Sequence, residues 1–206
     1  MKNTSLIIMA FLLASCGVTT FQTYSFELSQ VEKTGHKNDE KTIVTVLQVD
    51  DSSRYIFEDK SIKIIWEPDN QQFEFTLINK TKNSIQIPWD NAGYVDYQGN
   101  VSRIAHSGVD YAYRNNSQPP IIIPGGANLS DLLLPVVVWE MGEIIPTKTI
   151  NAWTRSGLTK VNAANPLYVG KNITFLLPLI INGIQNDYLF TFKISQNTVN
   201  AGDIEL

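Results

Sequence analysis

Proton-moving chemistry needs histidines, thiols or converging carboxylates, and this chain of 206 residues supplies few of them. The histidines are His36 and His106. Only His106 has serines and an acid close by in sequence, Ser102, Ser107 and Asp110, the residue types that a serine nucleophile with a histidine base would draw on. No Gly-x-Ser-x-Gly turn exposes either serine, so His106 reads as a side chain near a hairpin end making an ordinary hydrogen bond. A hydrolase with paired carboxylates would draw on Asp90, Asp96, Asp110 and Asp131. Spacing along the chain does not set the separation that chemistry requires, and solvated turn carboxylates are the plainer reading. There is no Asp-x-Asp-x-Asn-Gly calcium loop and no Gly-rich phosphate loop. The single cysteine, Cys16, excludes an internal disulfide framework and any multi-cysteine metal site. The reading is therefore non-enzymatic, with no cofactor and no metal.

What remains is aromatic. Trp66, Trp89, Trp139 and Trp153 are candidates mainly for the core. Tyr94, Tyr97, Tyr111 and Tyr113 lie close to turns and near Arg103 and Arg114, and these six residues form a candidate binding surface for a protein or a glycan. Charge narrows the partners further. With 16 basic against 20 acidic residues the chain has no cationic excess to neutralise a phosphate backbone, so no nucleic-acid partner is expected.

The N-terminus is an address. Met1 to Ser15 carry one positive charge, at Lys2, followed by the apolar run Leu6 to Leu13, the pattern of a secretion signal. That run is too short to span a bilayer, which takes roughly 20 apolar residues. The sequence Leu13-Ala14-Ser15-Cys16 resembles the lipobox of bacterial lipoproteins. The resemblance implies cleavage after residue 15, a diacylglycerol on the Cys16 sulfur and a fatty-acylated N-terminus, which together anchor the protein in a lipid bilayer. Gly17 stands where an aspartate would favour inner-membrane retention in Gram-negative lipoproteins, so the resemblance favours the outer membrane.

The elements that must carry these residues are strands. Tyr24, Phe26 and Leu28 alternate with polar residues, as do Ile62, Ile64 and Trp66, then Phe73, Phe75 and Leu77, with Pro68-Asp69-Asn70 between them as a hairpin turn. A second hairpin is expected from Tyr94–Tyr97 and Val101–His106 around Gly99. A third runs from Ile173–Leu177 through Asn182-Gly183 to Tyr188–Ile194. Ser29 to Thr42 reads as a solvated loop containing His36, and Thr147 to Asn165 as a long loop with a short helical turn. Pro119 to Gly126 reads as an edge segment or a connection between two sheets, ending in a turn. Leu132 to Trp139 has no polar face, which fits either a strand buried on both sides or an exposed interaction surface.

Phe75-x-Leu77-x-Asn79-x-Thr81 leading to Ile85-x-Ile87, with Ile123-Pro124-Gly125 later, is similar to immunoglobulin-like domains of bacterial envelope proteins. In those domains a strand ending in an Asn-Lys-Thr turn crosses to the opposing sheet. The expected fold is thus all-β, an immunoglobulin-like antiparallel β-sandwich behind a cleaved lipoprotein signal peptide. Residues 1–15 would be the signal, 16–22 the lipidated N-terminus and tether, 23–195 the sandwich and 196–206 a fraying tail. The function this implies is that of a membrane-anchored accessory module, binding or supporting another envelope protein or glycan. The alternatives are a surface-exposed module for carbohydrate or for a host or phage protein, and a carboxylate-based hydrolase.

Overall fold

A computed structural model of the chain describes residues 20–34, 43–49 and 52–201. The expected signal peptide, Cys16 and the start of the tether lie outside the described residues, as do His36 and residues 202–206 of the tail.

Within them the protein is all-β and antiparallel throughout. The strands in chain order are β1 (Thr20–Thr34), β2 (Ile43–Val49), β3 (Ser52–Glu58), β4 (Ile62–Pro68), β5 (Phe73–Asn79), β6 (Ile85–Ile87) and β7 (Gly93–Val95). They continue as β8 (Val101–Ala105), β9 (Ile121–Ile123), β10 (Asn128–Pro135), β11 (Lys148–Thr154), β12 (Gly157–Ala163), β13 (Asn172–Ile181) and β14 (Ile184–Asn200). One helical turn, α1 (Val138–Met141), follows β10.

Twelve strands share one hydrogen-bonded sheet, in the order β1-β14-β13-β7-β8-β10-β5-β4-β3-β2, with β6 attached to β13 and β9 to β6. Hydrophobic alternation makes this sheet fold on itself. Ile62, Ile64 and Trp66 of β4 and Phe73, Phe75 and Leu77 of β5 all point inward. There they meet Phe175 of β13 and Phe190 and Phe192 of β14: Trp66 packs 5.0 Å from Phe190, and Phe73 lies 4.7 Å from Phe175. The single sheet curls toward a barrel, with aromatic rings as its filling.

The curled sheet is continuous on one side only. There β10 carries the ladder across, pairing Asn128–Leu133 with β5 and then Leu134–Pro135 with β8. On the other side the ladder is open and side chains bridge it. Asp59, in the β3–β4 turn, accepts hydrogen bonds from Lys33 Nζ of β1 at 3.0 Å and Tyr188 Oη of β14 at 2.8 Å.

All three expected hairpins are present, as β4–β5, β7–β8 and β13–β14. After Asn79 the chain changes partners within the sheet, since β5 pairs with β4 and β10 whereas β6 pairs with β13 and β9. Asn79 holds that corner. Its buried amide donates to the carbonyls of Asn83, Ile123 and Pro124 and accepts from the backbone and hydroxyl of Thr81. Gly125 packs so tightly on the same turn that an added Cβ would collide with the Lys82 carbonyl. Pro178 sits in β13 between the stretch paired to β7 and the stretch paired to β6, where its missing N–H interrupts no ladder.

Several expectations are corrected. Ser29 to Thr34 are strand, not loop: they continue β1 against Asp187–Thr191, with a register shift at Ser29. A polar edge strand carrying a bulge and charged residues loses its apolar alternation, which is how exposed edges resist pairing with other chains. The region Thr147 to Asn165 contains a hairpin, β11–β12, with Arg155-Ser156 as its turn. Gln196 to Asn200 do not fray but pair with Thr20 to Tyr24, so the folded unit starts within the expected tether and ends past residue 195. The apolar run from Leu132 is half strand and half helical turn, with Leu133, Pro135 and Val138 buried.

Candidate recognition surface

The six candidate binding residues do not form one patch. Tyr94 is 1% exposed, in the core beside Phe175 at 5.2 Å. It pairs in register with Phe175 and so shares the inward face of the sheet. Burial, with help from Asp96 and Tyr97, pushes its phenol far above the ordinary value, and its hydroxyl has no hydrogen-bond partner among the described residues.

Arg103 is a staple. Its guanidinium donates to the carbonyls of Asn115 and Asn116 at 2.6 and 2.9 Å and to Asp90 Oδ1 at 2.9 Å, pinning the loop after β8 to the turn at Trp89–Asn91. Asp90 also accepts from the Ser117 hydroxyl and the Gln118 amide. The Ser117 bond first, then the amide and Arg103, hold its carboxyl below the usual range.

Tyr111 and Tyr113 are exposed on a single 3-10 turn. The Arg114 guanidinium lies 3.8 Å from the centre of the Tyr111 ring and donates to the Tyr111 carbonyl. These three residues form one outward cluster.

Tyr97 belongs to a different cluster, which the sequence reading missed. It lies at the β7–β8 turn, where Asp96 accepts from the backbone amides of Gln98 and Asn100 and from the Asn100 side chain. Burial pushes the Asp96 carboxyl up, but these donors prevail and hold it low. Tyr97 meets Tyr168 at 4.8 Å, and Lys171 Nζ stands 4.9 Å from one ring and 5.5 Å from the other. Local sequence explains how Tyr168 is presented. Asn165 caps a 3-10 turn at Pro166–Tyr168 by accepting from the Leu167 amide, and proline suits the first position of such a turn. Tyr24 of β1 fixes the base of that turn, donating to the Pro146 carbonyl at 2.8 Å and accepting from the Asn165 amide at 2.9 Å. Leu167 and Val169 flank Tyr168 and are exposed. The turn residues Asn165-Pro166 before Leu167-Tyr168-Val169 are the signal that could have located it.

Two tilted rings with a cation over both make a surface for stacking an apolar or planar face, with a positive charge beside it. His106 lies elsewhere, stacked on Trp89 at 4.4 Å with its Nδ1 3.3 Å from Asp131, not Asp110. No hydrogen bond joins it to the hydroxyl of Ser102 or Ser107 among the described residues; Ser102 Oγ donates to the Arg103 carbonyl instead. Asp131 also accepts from the amides of Ser107 and Leu132 at 2.8 Å each. Asp90, Asp96 and Asp131 thus serve three separate local networks, and no group of three acidic, histidine or cysteine side chains suited to a metal occurs among the described residues. An open cleft of about 580 Å³ lies beside Tyr24. Its polar walls are internally bonded, Asn70 to the backbone of Ile145 and Glu143 to Thr147.

Comparison with known proteins returns no matching family model, no matching curated protein and no matching solved structure.

Proposed function

We propose that this chain is a bacterial envelope lipoprotein, fatty-acylated at Cys16 and held in the outer membrane. Its immunoglobulin-like β-sandwich would act without catalysis, as a binding or structural module for another envelope protein or glycan. The observation that carries the reading is the chain's single cysteine, placed directly after Leu13-Ala14-Ser15 and the apolar run, four residues ahead of the first strand at Thr20. The change of partners after Asn79 supports the immunoglobulin-like assignment, although β10 carries the ladder on and leaves one sheet rather than two. The Tyr97–Tyr168–Lys171 surface supports a binding role, because two half-buried rings and a cation offer stacking area with a charge beside it.

Cys16→Ser tests the reading. The parent chain, expressed in a Gram-negative host with labelled fatty acid, is expected to carry label and fractionate with outer membranes. The variant is expected to carry none and to leave the membrane fraction if processed. Equal labelling of parent and variant refutes it.

A further inference from the structure

Lys33, Arg54, Lys80 and Arg103 each stand within 3.0 Å of a carboxylate oxygen. Lys171 differs. Among the described residues its ammonium meets no carboxylate and no other hydrogen-bond acceptor; what holds it is the pair of rings of Tyr97 and Tyr168, with centres at 4.9 and 5.5 Å. Sequence accounts for part of this, because Tyr168 and Lys171 lie within residues 144–186, a stretch without aspartate or glutamate. Asp96, next to Tyr97 in the chain, is committed to its own turn, where it accepts from Gln98 and Asn100. Burial first, then the Tyr168 hydroxyl and last Asp96 push the Tyr97 phenol up, so this ring stays neutral and offers the ammonium a π face rather than a charge.

The exposed cation is nevertheless held in place. The Lys171 amide donates to the Tyr168 carbonyl at 3.2 Å, and its carbonyl accepts from the Ile194 amide at 2.8 Å. The Gly170 amide donates to the Ile194 carbonyl at 2.8 Å. The turn before it is capped by Asn165 and fixed at its base by Tyr24. Groups ordered in advance lower the cost of binding.

Two features set the chemistry of the partner. An ammonium without an acceptor is complementary to an anion, and a carboxylate on it makes a charge-assisted bond, stronger than a neutral one. Beside it Leu167 is 74% exposed and Val169 is exposed as well. Aliphatic surface next to tyrosine is what an apolar protein side chain covers. A pyranose would need an open ring face to lie on, and Lys171 already stands over a face of each ring.

We propose that the Tyr97–Tyr168–Lys171 surface receives a protein segment carrying an aspartate or glutamate beside a bulky apolar side chain, the carboxylate bonding to Lys171 and the apolar group covering Leu167 and Val169. The proposal names the partner class of the surface on which the binding-module reading draws and rests on that reading; it does not depend on the acyl anchor.

The test uses the full chain as Cys16→Ser, immobilised, and a displayed library of random dodecapeptides, with the additional double change Lys171→Glu/Leu167→Ser as the counter-selection target. Both side chains are exposed, and equal urea midpoints check that the fold is kept. Enriched peptides are expected to place an aspartate or glutamate within two positions of a leucine, isoleucine or aromatic residue. Changing that acid to its amide is expected to weaken binding to the parent about tenfold, the loss of one charge-assisted bond, and to leave binding to Lys171→Gln unchanged. Leu167→Ser is expected to weaken the same peptides about tenfold, and Tyr113→Ser, in the separate outward cluster, to leave them unchanged. No enrichment over the counter-selection target, enrichment of peptides without an acid, or an equal loss in Tyr113→Ser overturns the proposal. Tetragalacturonic acid that binds the parent, fails to bind Lys171→Glu and outcompetes every enriched peptide overturns it in favour of a glycan while leaving the binding-module reading standing. Failure of the anchoring reading shows only in the acyl-labelling experiment.

Discussion

The bridge at Asp59 predicts how this fold responds to acid. Asp59 is 8% exposed, and its carboxylate accepts from the amides of Ser61 and Ile62 through Oδ1 and from Lys33 and Tyr188 through Oδ2. Burial pushes its pKa up. The Ile62 amide, the Tyr188 hydroxyl, the Lys33 ammonium and the Ser61 amide together outweigh burial, so the folded value lies below the ordinary carboxylate range. A depressed acid stabilises the folded state fully above its unfolded pKa of about 3.9, and that contribution is lost as pH falls through the lower folded value.

Replacing Asp59 by Asn keeps one oxygen for the two amides but turns an N–H toward the ammonium and the hydroxyl. Two charge-assisted bonds are lost, each worth about 1.5–3 kcal/mol. Lys33, about a quarter exposed, recovers part of its share from water, so the expected penalty near neutral pH is about 2–3 kcal/mol. Asp59→Ala, which also strips both amides of their acceptor, is expected to cost about 3–5 kcal/mol. Urea unfolding followed by tryptophan fluorescence measures both variants at about pH 7 and about pH 2.5. The Asn penalty is expected to shrink at the lower pH, because below the unfolded pKa the unfolded parent takes up a proton that its folded carboxylate forgoes. A penalty below about 0.5 kcal/mol at neutral pH, or one of equal size at both, refutes the reasoning.

Tyr94→Phe is expected to leave stability unchanged or raise it by up to about 1 kcal/mol, since it removes a buried hydroxyl without a partner. A loss above about 1 kcal/mol in the same urea assay would show that the hydroxyl is satisfied. Gly125→Ala is expected to cost about 2 kcal/mol or more, because the new methyl group meets the rigid Lys82 backbone rather than a movable side chain. An unchanged thermal midpoint would refute the close approach.

What could be read in the sequence follows from side-chain chemistry. β4, β5 and β14 declare themselves because bulky apolar residues alternate with polar ones, β13 by its apolar run, and each hairpin is joined by a turn-forming Pro-Asp-Asn or Asn-Gly. The β11–β12 hairpin hides because much of its buried face is Ala152, Ala163 and threonine, residues that mark no period. The second half of β1 hides because it forms a sheet edge, and the β14 extension because its partner lies more than 160 residues away at Thr20. The binding residues were separable in principle: Tyr94 and Tyr97 are three apart, so an extended chain turns them to opposite faces. Tyr168 and Lys171 could not be assigned to Tyr97 from the sequence, because that contact comes from β7 pairing with β13.

The same pairing sets the reach of the proposed module. Lys171 is bonded to Ile194, six residues along β14 from Asn200. At about 3.3 Å per residue the Tyr97–Tyr168–Lys171 surface lies roughly 20 Å along the strand from the Thr20 end, and roughly 35 Å at most from Cys16. A tether running through residue 22 would have allowed the domain to swing more freely, but pairing of Thr20 to Gln22 with Thr198 to Asn200 removes that slack. If the anchor holds, a partner must come to the membrane to meet this surface. One held in a layer several tens of ångströms away would reach the far end, at Asn83 and Asn182, and leave the aromatic surface unused.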